Sequence, residues 1–334
     1  MAARDFSESA VKVNHSALSV PSFAKINWNL HVFGRRPDGY HEVSTLLQTI
    51  SLHDDLHFEA NGDGLISVVC DNAEIPTGDQ NLIVRAARAL KDRYHVTAGV
   101  RVRLEKRIPT QAGLGGASSN AATSLLALAH LLKVETHPDD LLEIAATLGA
   151  DVPFFLIGGC GLASGTGALV SAISDADYVQ RHLVVIKPNA NVSTPEAYAA
   201  LDSPALTTSR SEPILSSSRV EEDLRDSSLL PLPDSLKNDF ESVIFDIEPE
   251  IRRTKEALIQ AGARSALLAG SGSSVFGIFD SKEDQQRAVK QIKLEVGWRV
   301  FSCVTLSRNE YVDAVGSWSV PFLRSFNSGS DIGA

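Results

Sequence analysis

Residues 108–122 read IPTQAGLGGASSNAA and join two segments of different periodicity. In residues 100–105, just before this stretch, apolar side chains alternate with charged ones, as in a strand with one buried face. Residues 121–132 are an almost wholly apolar run of helix formers, so we expect a buried helix there. The sequence therefore predicts a strand, a glycine-rich loop and a buried helix in direct succession.

The glycine-rich loop has the composition of an anion-binding site. Gly113, Gly115 and Gly116 let the backbone approach a bulky anion closely. The helix that follows offers free N–H groups and the positive end of its dipole, and residues 118–120 add hydroxyl and amide groups. Together these groups would cradle a triphosphate. The loop lacks the Gly-Lys-Ser/Thr ending of a Walker A loop. A structural turn before a capped helix remains the alternative.

A second alternating segment, residues 24–32, predicts a strand that buries its apolar side chains. Lys25 and Asn27 would then project together from the opposite face of that strand. A turn at residues 34–39 follows, and another strand is expected at residues 43–50. From spacing alone, a solvated lysine on a strand face is the simpler interpretation of Lys25.

Two short segments have both a binding and a packing interpretation. Tyr40 and His41, which follow the turn, could form an aromatic platform for a nucleobase, since stacking needs only flat faces. Half-buried packing beside the turn would use the same side chains. Residues 270–274, Gly-Ser-Gly-Ser-Ser, could form a second anion-binding nest or simply a tight hairpin.

Asp151 follows the predicted helix at residues 138–148, which begins with Pro138 and is followed by Gly149. A carboxylate at such a position could accept a proton from an alcohol during phosphoryl transfer. From spacing alone, a loop aspartate that caps local N–H groups is the more ordinary interpretation.

The second half of the chain alternates strands with helices, which predicts an α+β domain. Strands are expected at residues 183–186, 266–269, 275–279 and 299–304, and helices at 249–262 and 282–294. Residues between Asp202 and Pro233 are rich in serine, proline and charge, as in a surface insertion.

These segments divide the chain into two domains with flanking regions. We expect a disordered leader at residues 1–20, a first domain at 21–178, a second at 179–320 with a flexible insertion at 202–233, and a tail at 321–334.

The bulk composition of the 334-residue chain excludes several classes of function. A formal net charge of -10 disfavours a broad nucleic-acid surface, and no apolar run approaches the length of a membrane span. Cys70, Cys160 and Cys303 form neither a disulfide framework nor a metal-ligand pattern. The sequence therefore predicts a cytoplasmic protein with neither a membrane nor a nucleic-acid partner.

Four motifs in order resemble a known family. Residues 24–27 with 34–42 resemble the first motif of the 4-diphosphocytidyl-2-C-methyl-D-erythritol kinases, and residues 109–122 resemble the phosphate loop of the wider GHMP kinase superfamily. Residues 149–155, Gly-Ala-Asp-Val-Pro-Phe-Phe, and residues 270–274 are similar to the later motifs of the same branch. The resemblance spans the chain from about Pro21 to Tyr311.

The resemblance implies an α+β, two-domain GHMP kinase fold. Its N-terminal domain would resemble domain 2 of ribosomal protein S5 and bind ATP, and its C-terminal domain would be ferredoxin-like and complete the substrate cleft. The implied reaction phosphorylates the 2-hydroxyl of 4-diphosphocytidyl-2-C-methyl-D-erythritol in non-mevalonate isoprenoid biosynthesis. Mg²⁺ would accompany ATP, with protein ligands unassigned. The implied assembly is a monomer or a weak homodimer.

The resemblance also implies a role for individual residues. Asp151 would be the catalytic base and Lys25 its electrostatic partner. Asn27 would bind the substrate near the reacting group, and Tyr40 and His41 would hold the cytosine. A weaker substrate candidate is Thr194. The ATP phosphates would be wrapped by Pro109, Thr110, Gln111, Ala112, Gly113, Leu114, Gly115, Gly116, Ala117, Ser118 and Ser119.

Two other functions remain open on the same fold. A homoserine or mevalonate kinase would have no use for a base platform, so residues 38–41 argue for the cytidyl substrate. A non-catalytic ligand sensor would not need both Lys25 and Asp151. The chain departs from its relatives at Gln111 and Ala117, where many of them carry glycine or another small residue. Ala117 should be harmless unless its φ must be positive.

Overall fold

The computed structural model describes residues 17–202 and 236–319. Residues 1–16 of the predicted leader, residues 203–233 of the predicted insertion and the predicted tail lie outside the described residues. Within the described ranges, no helix is both long enough and apolar enough to cross a membrane.

The described chain contains both strands and helices. The strands are β1 Ala17–Arg35, β2 His41–Asn61, β3 Ile66–Cys70, β4 Gly99–Glu105, β5 Cys160–Ser164, β6 Leu169–Ala172, β7 His182–Lys187, β8 Lys237–Asn238, β9 Ser265–Leu268, β10 Val275–Phe279 and β11 Arg299–Val304. The helices are α1 Leu82–Tyr94, α2 Gly116–Leu131, α3 Pro138–Leu148, α4 Val152–Ile157, α5 Thr194–Leu201, α6 Glu241–Ile247, α7 Pro249–Gln260, α8 Lys282–Gln291 and α9 Arg308–Val315, followed by a short 3₁₀ turn at Ser317–Ser319.

The first sheet is built on a long antiparallel hairpin of β1 and β2. The path β3-β4-β2-β1-β8 runs through it, and β5 pairs with both β2 and β6. Both hairpin strands extend well past the predicted segments at 24–32 and 43–50. Residues 17–20 of the predicted leader belong to β1, because they pair with the far end of β2 and Val20 enters the core.

The second sheet is antiparallel, with strand order β11-β7-β10-β9. Taking its strands in chain order, this is the 4-1-3-2 arrangement of a ferredoxin-like domain, with α7 and α8 in the two crossover positions. The predicted strand at 275–279 matches β10, and the one at 299–304 matches β11. The prediction of an α+β fold with two domains, of which the second is ferredoxin-like, is confirmed.

Apolar packing joins the two sheets. Ala24, Ile26 and Trp28 of β1 lie in one buried cluster with Val185 and Phe276 of the second sheet. This accounts for the alternation at residues 24–28, since every second residue there lies in the cluster shared with the other sheet. The opposite face of β1 is also enclosed: Lys25 and Asn27 are 3% and 2% exposed. The interpretation of Lys25 from spacing alone, as a solvated lysine, is therefore wrong, because that face borders a cavity and not the outer surface.

Two helices that position the site were not predicted. The helix α4 begins directly after Asp151, and all six of its residues, Val152–Ile157, are buried. The helix α9 returns from the second sheet to the first domain, where Tyr311 donates a hydrogen bond to the Phe155 carbonyl oxygen at 2.6 Å. Tyr311 and Val315 belong to the core of the first domain. The C-terminal helix thus holds α4 in place.

Candidate active site

One cavity of about 1150 Å³ collects nearly all of the predicted site residues. The glycine-rich loop from Pro109 to Ser118 forms one wall, and Lys25, Asn27 and Asp151 lie beside it. Tyr40, His41 and Thr194 line the same space. Ser119 does not line it: its side chain is buried, and its hydroxyl oxygen lies 2.7 Å from the hydroxyl oxygen of Ser22.

Lys25 and Asp151, far apart in the chain, converge in this cavity. The distance from Lys25 Nζ to Asp151 Oδ2 is 3.5 Å. Lys25 Nζ also donates a hydrogen bond of 2.9 Å to Asn27 Oδ1, and Asn27 Nδ2 donates one of 2.8 Å to Thr45 Oγ1. This series of hydrogen bonds ends at the backbone of β1, because Thr45 Oγ1 donates to the Asn29 carbonyl oxygen at 2.6 Å. This network fixes the direction of the ammonium group.

Asp151 keeps its carboxylate available. It is the residue that precedes α4, but its side chain makes no capping hydrogen bond to that helix. The interpretation of Asp151 as a local cap is therefore wrong. Its side chain is 38% exposed, whereas that of Lys25 is 4% exposed. A carboxylate beside a buried ammonium group and open to a cavity can accept a proton from a bound alcohol.

The glycine-rich loop contacts the turn at residues 270–274 of the second domain. Gly113 has φ +72°, and a Cβ there would lie 1.8 Å from the Ala269 carbonyl oxygen, so only glycine fits. The backbone N–H groups of Ser273 and Ser274 donate to loop carbonyl oxygens at 3.3 and 3.2 Å. Because these N–H groups are engaged, and residues 270–274 join the antiparallel strands β9 and β10, the structure favours the tight-hairpin interpretation over an anion-binding nest.

Two departures from the family pattern have different consequences. Gln111 lies in the left-handed region with φ 48°, a conformation that glycine adopts more readily than any other residue. Ala117 lies inside α2 and is not among the described residues with positive φ, so it is accommodated without strain. The helix α2 begins at Gly116, with Gly115 in the left-handed region just before it.

A buried carboxylate anchors both ends of the glycine-rich loop. Asp54 Oδ1 accepts hydrogen bonds from the backbone N–H groups of Arg107 and Ile108, each at 2.7 Å. Asp54 Oδ2 accepts from Lys106 Nζ at 2.7 Å and from Asn120 Nδ2 at 3.1 Å. Burial lowers the pKa of Lys106, and the Asp54 charge opposes that shift. The sequence carries no signal for Asp54, because its partners lie in distant elements.

The other end of the cavity is aromatic. Tyr40 is 67% exposed, and the His41 ring lies against the Tyr198 ring with 4.7 Å between centroids and 17° between planes. His41 Nε2 lies 2.8 Å from Asp202 Oδ1. Burial and the Asp151 charge raise the pKa of Tyr198 to about 12, so its hydroxyl stays protonated at neutral pH.

Thr194 begins α5, whose capping box is formed by Ser193 and Glu196. Its hydroxyl oxygen lies 3.0 Å from that of Ser271. Sequence reasoning missed Tyr198, which lies on this helix, and Asp202, which directly follows it. A helix that starts at Thr194 places residue 198 one turn further and residue 202 another turn on. The Ser-Thr-Pro-Glu start of α5 was the available signal.

Comparison with known proteins assigns the chain to a family. The GHMP kinases N terminal domain profile matches residues 81–159, and the GHMP kinases C terminal profile matches residues 220–296. The 4-diphosphocytidyl-2-C-methyl-D-erythritol kinase of Thermoanaerobacter pseudethanolicus is 36% identical over 87% of this chain and 97% of its own. This chain belongs to the 4-diphosphocytidyl-2-C-methyl-D-erythritol kinase family. The enzyme of that name from Chlorobium phaeobacteroides is 40% identical over 82% of this chain and 93% of its own.

Solved structures agree with the family assignment. A 4-(cytidine 5'-diphospho)-2C-methyl-D-erythritol kinase is 33% identical, with a TM-score of 0.69 over 86% of this chain and 99% of its own. A homoserine kinase from Cytophaga hutchinsonii is 18% identical, with a TM-score of 0.64 over 91% of this chain and 98% of its own. At that identity the second likeness shows the GHMP fold alone. The predicted family resemblance is confirmed, and the chain is a kinase of small molecules.

Proposed function

We propose that this chain transfers the γ-phosphoryl group of ATP to the 2-hydroxyl of 4-diphosphocytidyl-2-C-methyl-D-erythritol, giving the 2-phosphate and ADP in non-mevalonate isoprenoid biosynthesis. One observation carries the proposal. A buried ammonium group and an available carboxylate, Lys25 and Asp151, lie 3.5 Å apart in a cavity that is lined by a glycine-rich loop and an aromatic end. The membership of the chain in the family supports the choice of substrate.

The glycine-rich loop would hold the phosphates of ATP. Gly113 and Gly115 keep the backbone free of side chains beside the cavity, and α2 directs its N-terminal N–H groups toward the loop. Asp54 keeps the loop in this conformation through Lys106 and the backbone of residues 107–108. The anion would therefore meet N–H groups that are already oriented, with little reorganisation on binding.

Asp151 and Lys25 would divide the chemical work. As the substrate oxygen attacks the γ-phosphorus, the bond from that phosphorus to the bridging oxygen of ADP breaks, and the hydroxyl proton passes to Asp151. Lys25, held by Asn27, would orient the hydroxyl and stabilise the negative charge that develops. Phosphoryl transfer depends mainly on positioning and electrostatics, which a fixed ammonium group and a fixed carboxylate supply.

Mg²⁺ is proposed to arrive with ATP and neutralise part of the charge of its phosphates. Among the described residues, no group of three or more His, Cys, Asp and Glu side chains could hold a metal ion. Mg²⁺ commonly keeps several waters and takes the rest of its ligands from phosphates and one or two protein oxygens. The Ser118 hydroxyl, at the start of α2 in the cavity wall, supplies an oxygen atom of the kind that could coordinate Mg²⁺.

The aromatic end would bind the cytosine. Tyr40 offers an exposed ring for stacking, and His41 offers a ring nitrogen at the same end of the cavity. Homoserine and mevalonate have no base to occupy this end. A non-catalytic sensor would have no need for the Lys25–Asp151 pair. We further propose that the protein acts in the cytoplasm as a monomer or weak homodimer, with no nucleic-acid or membrane partner.

A panel of alcohols tests the proposed function. Purified protein is supplied with ATP, Mg²⁺ and either the cytidyl substrate, homoserine or mevalonate, and release of ADP is measured. Of the three alcohols, we expect only the cytidyl compound to support turnover. The ³¹P spectrum of its product should show a new phosphate monoester at the 2-position of the methylerythritol. If homoserine or mevalonate were phosphorylated and the cytidyl compound were not, the result would favour another kinase of this fold. Binding of the cytidyl compound without any turnover would favour a sensor.

A further inference from the structure

The carboxylate of Asp202 connects two parts of the cavity wall, the end of α5 and the start of β2. It is the residue at the C-terminal end of α5, and its backbone N–H donates to the Tyr198 carbonyl oxygen at 3.1 Å. Its side chain accepts one short contact, from His41 Nε2 at 2.8 Å. Among the described residues it makes no other ion pair. Tyr198 and Asp202 thus contact one imidazole ring from its face and from its edge.

The position of the His41 ring is therefore determined on two sides. Tyr198 lies parallel to it, and Phe240, which is buried, packs edge-on against Tyr198 at 5.0 Å and 82°. The ring can neither tilt without losing the stack nor rotate by half a turn without losing the contact of Nε2 with Asp202. The His41 side chain is only 8% exposed, so little space remains for another orientation.

A carboxylate only accepts hydrogen bonds, so its partner nitrogen must carry a proton. Contact with Asp202 therefore selects the tautomer of His41 in which Nε2 is protonated. In the neutral ring, Nδ1 is then an acceptor. No described residue donates a hydrogen bond to Nδ1, and His41 lines the cavity. The lone pair of Nδ1 is thus available to a ligand.

We infer that Asp202 is a positioning residue that makes the site selective for cytosine over uracil, by fixing His41 as a hydrogen-bond acceptor. This inference rests on the proposed function, since it specifies how the same site reads the base. The 4-amino group of cytosine is a donor and complements an acceptor. Uracil presents a carbonyl oxygen at that position, so two lone pairs would face each other. Without Asp202, His41 can take the other tautomer and accept either base.

Isothermal calorimetry with two ligands tests the inference without requiring turnover. The full-length protein is titrated with 4-diphosphocytidyl-2-C-methyl-D-erythritol and with its uridyl analogue. Asp202→Asn keeps the shape of the side chain but adds a donor, so it no longer selects one tautomer, and Asp202→Ala removes the contact. We expect both variants to lower the ratio of cytidyl to uridyl affinity by about tenfold, the value of roughly one charge-assisted hydrogen bond.

The matched control is Asp246→Asn. Asp246 forms a surface ion pair with Arg252 at 2.5 Å and does not line the cavity. We expect this variant to keep the base preference of the unmodified protein. A ratio that is unchanged in both Asp202 variants would overturn the inference, as would an equal drop of the ratio in Asp246→Asn.

A spectroscopic readout reports on His41 itself. Long-range ¹H–¹⁵N spectra distinguish the two neutral tautomers of histidine from the imidazolium ion. The signals of His41 are assigned as those that are absent from the spectrum of the His41→Gln variant. We expect the Nε2-protonated form in the unmodified protein and a mixture in Asp202→Asn. An imidazolium ion at the assay pH, or the same tautomer in both proteins, would overturn the inference because a structural role of Asp202 would leave the tautomer unchanged.

The outcomes separate this inference from the proposed function. Selective binding of the cytidyl compound that depends on Asp202, without phosphorylation, would support the inference and reject the kinase activity. Phosphorylation of the cytidyl compound with a base preference independent of Asp202 would support the kinase activity and reject the inference. If neither ligand binds, both are rejected.

Discussion

The two ends of the cavity are built in opposite ways. At the end that carries Lys25 and Asp151, the ammonium group is buried and each hydrogen-bonding partner is itself bonded, from Asn27 to Thr45 and on to the sheet. At the aromatic end, Tyr40 is largely exposed and projects from a turn. The first end is held within one domain by β1, β2 and the turn before α4, whereas the second is assembled from a strand and a helix of different domains.

The difference reflects what each end must do. A buried charge is costly unless it is paired and hydrogen-bonded, so Lys25 requires a continuous network. Because water is largely excluded there, the electrostatic interaction of the Lys25 ammonium group with the negative charge that would develop during transfer is stronger than in bulk water. Stacking on a base requires only a flat apolar face, which tolerates exposure. Changes at the first end should therefore affect the rate, and changes at the second should affect binding.

The largest effect is expected from a substitution at the buried end of the cavity. Asp151→Asn keeps the size of the side chain but removes the proton acceptor, so we expect kcat to fall by at least roughly 100-fold while both ligands still bind. Some rate should remain, because positioning by the loop and Lys25 is retained. Steady-state kinetics with the cytidyl substrate measure this, with Asp280→Asn as control, since Asp280 pairs with Arg264 outside the cavity. A variant with near-normal kcat would exclude Asp151 as the base.

An intermediate effect is expected at the aromatic end. Tyr40→Ala removes the stacking face, and we expect the KM for the cytidyl substrate to rise about 5- to 100-fold with little change in kcat. Tyr40→Phe retains the ring and serves as the matched control, with KM close to that of the unmodified protein. If Tyr40→Ala lowered kcat and left KM unchanged, the contrast between the two ends would be wrong.

The smallest expected effect concerns the support of α5. Lys187 Nζ donates to the carbonyl oxygens of Pro188 and Ala190 at 2.9 and 2.8 Å, and to Asn191 Oδ1 at 3.0 Å, in the segment that leads to α5. Burial lowers the pKa of Lys187 from 10.5 to about 8. Between these values the unfolded chain binds more protons than the folded chain, so the free energy of unfolding should rise with pH.

Lys187→Met provides the test of this pH dependence. Urea unfolding is followed at pH 7.5 and at pH 10 for both proteins. From the lower to the higher pH, the unmodified protein should gain about 2 kcal/mol relative to the variant, because only its Lys187 loses the cost of burying a charge. Other groups that titrate in this range are common to both proteins and cancel in the difference. Parallel pH profiles for the two proteins would contradict the prediction.

The sequence predicted the framework more fully than the site. The alternation of residues 24–32 and the apolar run after Gly116 located β1 and α2, because period-two and buried-helix patterns are local properties. The short helix α4 was missed because its six residues are all apolar and show no amphipathic period. Asp54 was missed because its role depends on residues 106–108 and on Asn120, which lie far from it in the sequence.

Within the site, the local motifs favoured the wrong interpretation for two residues. Spacing alone favoured a solvated lysine at position 25 and, at position 151, a loop aspartate that caps local N–H groups. Only the family resemblance brought the two residues together. Neither Tyr198 nor Asp202 was singled out, since a helix of eight residues such as α5 carries little periodic signal.

The sequence by itself located β1, α2 and the strands of the second sheet and showed which family the motifs resemble, because periodicity and motifs depend on neighbouring residues. The tertiary structure alone decided that the polar face of β1 borders a cavity, that Lys25 lies 3.5 Å from Asp151, and that Asp202 reaches His41. Those contacts arise when separate strands, helices and turns bury their apolar faces together, and no periodicity within one segment encodes which distant side chains that packing brings together.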